Sequence, residues 1–206
     1  MPHLSNKPGE NGERSTADRT RFDSRLAFHS SRLLRLAVGL ALVYALLVFI
    51  GSTKVPPVAV VTTTATLPGS IAESWAVLTD FPAYAEWNPY LPEIDGEFAV
   101  GETITLTLVA DEGATPIRPR ARIEAISPQR EFSWQGVLPI PGLFATRHVF
   151  ALEPIDDSHT RLHHYEEFRG LAVALLPFDR AVQSQRIARS FERMNNALVE
   201  RLLTRP

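Results

Sequence analysis

The chain has 206 residues, 45% of them hydrophobic and 21% charged, with no cysteine and a formal net charge of −2. That suits one folded domain plus additional segments, and it excludes disulfides, thiolate metal ligands and a cysteine nucleophile. Residues 1–35 carry seven Lys/Arg against four acids, while the rest of the chain is net acidic, so the folded part is a poor partner for nucleic acid, whose phosphates require a basic surface.

Residues 1–31 are rich in Ser, Asn, Gly, Glu and Arg and hold few large apolar groups. Such a stretch cannot bury enough surface to offset its ordering entropy and is expected to be disordered. After Arg32 and Arg35 the chain runs from Leu36 to Thr53 without a charge. A helix of that length covers about 27 Å, close to the thickness of a hydrocarbon core. It is apolar on all sides rather than striped, which suits lipid. Phe49-Ile50-Gly51-Ser52-Thr53 lacks the small-residue pattern of a signal-peptide cleavage site. Arg19, Arg21, Arg25, Arg32 and Arg35 precede the run and only Lys54 closely follows it. The positive-inside tendency therefore predicts a single-pass protein of the cell membrane, with its N-terminus in the cytoplasm and its folded domain on the extracytoplasmic side.

Val55-Pro56-Pro57 is a stiff spacer. Val58 to Thr66 is β-branched almost throughout and reads as a strand. Pro68-Gly69 breaks it, Ser70 is placed to cap a helix, and Glu73 lies at capping-box spacing. Ile71, Trp75 and Leu78 share one face of that helix. Ala83 to Trp87 forms a further turn or two, stopped by Asn88-Pro89. Thr103 to Leu108 then alternates Thr with aliphatics, as a half-buried strand does. Arg118–Ile126, Glu131–Val137, Ala145–Leu152 and Thr160–Phe168 are further strands, the last two joined by a turn at Asp156-Asp157-Ser158-His159. Two apolar loops, Leu138–Phe144 and Leu171–Phe178, are suited to a cavity mouth or a bilayer surface. The longest helical signal is Asp179–Leu203, with Ile187, Phe191, Met194, Leu198 and Leu202 in one stripe. The class is α+β: a meander of antiparallel strands covered on one face by a long helix. A curved sheet around one helix leaves a void unless large side chains fill it, and that void is the natural ligand site.

Several short signatures then fall in order. They are Phe81-Pro82-x-Tyr84-x-x-Trp87-Asn88-Pro89, Gly101, Phe132-Ser133-Trp134, and His148-x-Phe150-x-Leu152-Glu153-Pro154. Thr160-x-Leu162-x-His164-x-Glu166-x-Phe168-x-Gly170 and Phe191-x-x-Met194-Asn195-x-x-Leu198 complete the set. Over Val61–Leu203 this order resembles the START-like (SRPBCC) superfamily, in particular its polyketide cyclase/dehydrase-like branch. The resemblance implies a helix-grip fold, a curved antiparallel sheet of about seven strands around the C-terminal helix, with an apolar cavity for a lipid, quinone or polyketide-like molecule. It transfers no catalytic residue. The implied organisation is a tail at 1–31, a transmembrane helix at 32–53, a linker at 54–60 and a START-like ligand-binding domain at 61–206.

Strand parity puts Leu162, His164, Glu166 and Phe168 on one face, together with His148, Phe150 and Leu152 of the preceding strand. The predicted ligand-binding residues are Trp75, Trp87, Leu106, Phe132, Trp134, His148, Phe150, Leu162, His164, Glu166, Phe168, Phe191, Met194 and Leu198. His164 and Glu166 are polar groups on an inward face, and each must find a partner in the protein or on a ligand. They are also the candidate acid–base pair if the protein is a cyclase- or dehydratase-like enzyme. A third reading is a protein-interaction module with a filled interior. No metal or cofactor is expected, because His163 and His164 point to opposite faces of their strand and no metal or phosphate-binding motif occurs.

Overall fold

The computed structural model describes residues 32–49, 55–136, 140, 142–175 and 180–204. The predicted disorder of 1–31, the end of the apolar run at Ile50–Thr53, and parts of both apolar loops (137–139, 141 and 176–179) lie outside the described residues. The chain divides into two units, residues 1–46 and 47–206.

Among the described residues the N-terminal unit consists of helix α1 (Arg32–Phe49), which runs three residues past the unit's boundary and is long and apolar enough to cross a membrane or to serve as a signal sequence. Its large apolar side chains, such as Leu36, Leu40, Val43 and Phe49, are exposed.

The second unit begins with β1 (Ala59–Pro68), followed by α2 (Ile71–Thr79), a 3-10 turn at Phe81–Ala83 and α3 (Tyr84–Trp87). Then come β2 (Glu93–Asp95), β3 (Thr103–Thr107), β4 (Arg120–Ser127), β5 (Glu131–Gly136), β6 (Ala145–Asp156), β7 (His159–Arg169), α4 (Leu171–Leu175) and α5 (Arg180–Leu203). The seven strands form one antiparallel sheet in the order β1-β7-β6-β5-β4-β3-β2. From β2 to β7 it is a meander, and β1 returns to pair with the last strand. Sequence reasoning missed β2 and read α4 as loop. The β6–β7 hairpin is tighter than the sequence suggested, with only Asp157 and Ser158 between its strands.

The local chemistry explains the elements. Ser70 Oγ accepts from the Glu73 amide at 3.3 Å, and the Glu73 carboxylate accepts from the Ser70 amide at 2.7 Å. This reciprocal pair fixes the start of α2. The Tyr84 hydroxyl donates to the Leu78 carbonyl at 2.6 Å and ties α3 to α2. Asn88 Oδ1 accepts from the amides of Tyr90 and Leu91 at 3.0 and 2.9 Å, which sets the turn carrying Tyr90. A register irregularity between Ile123 and Ala125 bends β4.

Helices α2 and α5 cover the concave face of the sheet. The core beneath them holds Leu78, Tyr84, Ile104, Ile123, Phe132, Phe150, Leu162, Phe191, Met194 and Leu198, all essentially without exposure. The α5 stripe is the predicted one: Phe191, Met194 and Leu198 are buried, and Ile187 and Leu202 pack against the core.

Candidate functional site

Cross-strand pairing orders the concave face into rows. One row runs Thr63, His164, Phe150, Phe132 across β1, β7, β6 and β5. The next runs Val61, Glu166, His148, Trp134, Ile123. Ala59, Phe168 and Thr146 begin a third, and Gly136 pairs with Ala121 nearby. Beyond the first row the groove is filled. Phe132 stacks on Phe150 at 4.8 Å, and Trp75, Phe81 and Phe98 meet Phe132 edge-on.

Empty space gathers at the other end, where side chains shrink to Ala59, Ala121, Gly136 and Thr146. Two cavities lie there. The larger, about 310 Å³, is lined by Ala59, Val61, Phe144, Phe168, Val173, Gln183, Ser184 and Ile187. The smaller, about 70 Å³, includes Tyr90, Leu106, Trp134, Gly136, Thr146, His148 and Glu166 in its wall. They are neighbours across the sheet, because Phe168 pairs with Thr146 and Val61 with Glu166. Two glycines shape this end. A Cβ on Gly136 would stand 2.9 Å from Thr146 Oγ1. Gly170 has φ +107°, and a Cβ there would meet the Leu143 carbonyl oxygen at 2.7 Å, so it lets the chain beside Phe144 cross close by.

A buried chain of polar groups runs under the rows. Thr63 Oγ1 donates to the His164 carbonyl at 3.3 Å and accepts from Asn195 Nδ2 at 3.0 Å. Asn195 Oδ1 lies 2.9 Å from His164 Nδ1, and His164 Nε2 lies 2.7 Å from His148 Nε2. Because Asn195 presents its oxygen, His164 carries its proton on Nδ1 and accepts on Nε2, so His148 donates from Nε2 and keeps Nδ1 bare. The Glu166 carboxylate stands 3.9 Å from His148 Nδ1.

Burial dominates the titration of these groups. It holds His164 down to about 3, partly countered by the bond to Asn195, and holds His148 well below its ordinary value, helped by the neighbouring His164. Burial pushes Glu166 up to about 7 against the hydrogen bond from Thr146. Tyr90 is raised by burial and by the nearby Glu166 charge, with Arg193 opposing, and its phenol stays protonated.

Among the predicted ligand-binding residues, the smaller cavity gathers Leu106, Trp134, His148 and Glu166, and the larger takes Phe168. Phe132, Phe150, Leu162, Phe191, Met194 and Leu198 belong to the packed core. His164 is fully buried between His148 and Asn195, and its ring stacks on Phe191 at 4.1 Å. Trp75 meets Phe98 and Phe132, away from both cavities. Trp87 packs on Tyr84 at 4.9 Å, and its buried indole N–H has no partner among the described residues. His163 is on the outer face beside Glu153. Tyr90, Thr146, Asn195 and Thr63 were missed. Asn195 carried a usable signal, a polar residue one turn beyond Phe191 on the buried stripe.

The domain resembles several solved structures at identities that carry the fold alone. The START superfamily protein from Mycobacterium smegmatis matches with a TM-score of 0.57 and 15% identity, over 70% of this chain and 97% of that one. The Zhui aromatase/cyclase from a Streptomyces species matches with 0.56 and 18%, over 70% and 93%. The norcoclaurine synthase from Thalictrum flavum, in complex with dopamine and hydroxybenzaldehyde, matches with 0.55 and 12%, over 72% and 88%. No curated protein sequence matches the chain. The seven-stranded grip around α5 agrees with the family profile that matches residues 58–203, and the chain belongs to the family described as polyketide cyclase / dehydrase and lipid transport.

Proposed function

We propose that the chain is a membrane-anchored ligand-binding protein. Residues 32–53 cross the bilayer, 54–60 form a short spacer, and 61–206 bind or shuttle an apolar small molecule of the lipid, quinone or polyketide class. The observation that carries this reading is the 310 Å³ cavity, whose wall is apolar except at Gln183 and Ser184. A cleft with so apolar a wall favours apolar guests through the surface it removes from water, and this one lies at the lower end of the volumes usual for small-molecule sites. Exposed Leu143, Leu171, Leu175 and Val182 flank the lining residues along the chain and form a greasy margin suited to uptake from lipid. The family description itself pairs cyclisation with lipid transport.

Native mass spectrometry of the full-length chain extracted from its own membranes tests the proposal. The expected spectrum carries a small apolar adduct, and Ser184→Trp, which fills the cavity from α5, removes it. A chain recovered outside the membrane fraction, or one that carries no adduct in its wild-type form, refutes the reading. For the orientation, protease added to the cytoplasmic face of sealed inside-out vesicles should leave the domain intact; digestion would reverse the assigned topology.

A further inference from the structure

The polar chain ends at the smaller cavity, and it ends in an unusual combination. His148 is only 3% exposed, yet its Nδ1 lone pair points away from His164, and no hydrogen bond among the described residues satisfies it. Glu166 Oε2, at 3.9 Å, is beyond hydrogen-bond reach. Tyr90, 4% exposed and set by the Asn88 turn, brings a hydroxyl to the same wall, and among the described residues no hydrogen bond reaches that hydroxyl. One acceptor, His148, thus lines a space of about 70 Å³ together with Tyr90 and Glu166, which can donate to a guest; Thr146, already bonded to Glu166, and Arg120 also border it, and the rest of the wall includes Leu91, Leu106 and Trp134.

We infer that this pocket receives one neutral hydroxyl group, of the phenol or enol class, at the polar end of the bound molecule. The inference rests on the proposed apolar-ligand function and adds the chemistry of the ligand's head. A hydroxyl proton goes to His148 Nδ1, and the hydroxyl oxygen accepts from Tyr90 and from protonated Glu166. A ketone or ether satisfies only the donors and leaves the His148 lone pair buried and unpaired. A carboxylate has no proton to give and likewise leaves the His148 lone pair unpaired. A cation meets Arg193 near Tyr90 and the burial that already disfavours charge on Glu166. The space holds a head group and not a whole ligand; the inference places the apolar body toward the larger cavity, whose Phe168 and Val61 pair with Thr146 and Glu166 of the smaller one. His164 and Asn195 act as positioning residues, since their hydrogen bonds decide which nitrogen of His148 stays bare.

The test uses full-length protein in lipid nanodiscs, empty nanodiscs as the blank, and calorimetric titration with 4-pentylphenol, 4-pentylanisole and pentylbenzene. The phenol should bind roughly tenfold tighter than the other two, the gain expected from a satisfied buried hydrogen bond. Tyr90→Phe should remove several-fold of that preference and leave pentylbenzene unchanged. Nitrogen NMR should show the pyridine-type resonance of His148 at Nδ1 and the pyrrole-type at Nε2. Equal affinity for phenol and pentylbenzene would overturn the hydroxyl pocket while the apolar-binding function stands. An anisole as tight as the phenol, or a protonated Nδ1 on His148, would overturn the acceptor role. If pentylbenzene also fails to bind, the apolar-binding function falls and the pocket assignment falls with it.

Discussion

Replacing His164 by Phe should lower the stability of the domain by about 2–6 kcal/mol, the sum of two orphaned buried groups at about 1–3 kcal/mol each. Phe keeps the shape and the stacking on Phe191 and Phe150, at 4.1 and 4.4 Å, so little packing energy is lost. It removes the acceptor that His148 Nε2 uses and the donor that Asn195 Oδ1 uses. Typical domains have only about 5–15 kcal/mol in total, so the urea midpoint of the full-length protein in detergent should fall sharply. His163→Phe, one residue away on the outer face, should stay within about 0.5 kcal/mol of wild type. The triple change His148→Phe, His164→Phe, Asn195→Leu should recover much of the loss, because it removes the three partners together and leaves the Thr63 hydroxyl its bond to the backbone carbonyl at position 164. A single His164→Phe variant as stable as wild type would show that the three side chains are not coupled.

The second large effect is on the pH dependence of stability. His148 and His164 have folded-state pKa values below the ordinary 6.5. Their contribution is therefore complete above about pH 6.5 and is lost as pH falls, since the unfolded chain takes up two protons that the folded one refuses. Glu166 works in the opposite direction. Its folded pKa of about 7 lies above the ordinary 4.5, so its effect favours the fold at low pH and turns unfavourable as pH rises between those values. Between about pH 5 and about pH 6 the unfolded state holds two extra protons and the folded state one. These three groups then make stability rise with pH by about 1.4 kcal/mol per unit. Glu166→Gln deletes the folded-state proton and should roughly double that slope. Above about pH 7 the variant should be the more stable by up to about 3 kcal/mol. Urea midpoints across this range for both proteins check the difference, to which every other titrating group contributes equally. An unchanged slope would place Glu166 in contact with water rather than in the interior.

The sequence made the scaffold readable and left the site hard to see, and particular residues show why. Alternation in Thr103–Thr107 and in Leu162–Phe168 marks an inner face directly, because a strand's side chains alternate whatever the sheet around it does. Ser70 and Glu73 announce a helix start within four residues. β2 has three residues, too few for a period to register, and α4 is short enough to pass for an apolar loop. The polar chain joins Thr63, His148, His164 and Asn195, with Thr63 and Asn195 132 positions apart, and no local pattern encodes such a meeting. The cavities are harder still. They exist because Ala59, Ala121, Gly136 and Thr146, from four strands, bring small side chains to one end of the groove, and each alone is unremarkable.

The pairing of β1 with β7 bears on how the chain is made. Thr63 meets His164, 101 residues later, so the first strand has no neighbour until nearly the whole domain has left the ribosome. Contacts of such sequence separation are slow to form. Meanwhile the segment AVVTTTATL, β-branched and uncharged, is the kind that associates with other copies of itself. Lowered translation speed or a truncated C-terminus should therefore harm this protein through its first strand, far from the place where the chain was cut.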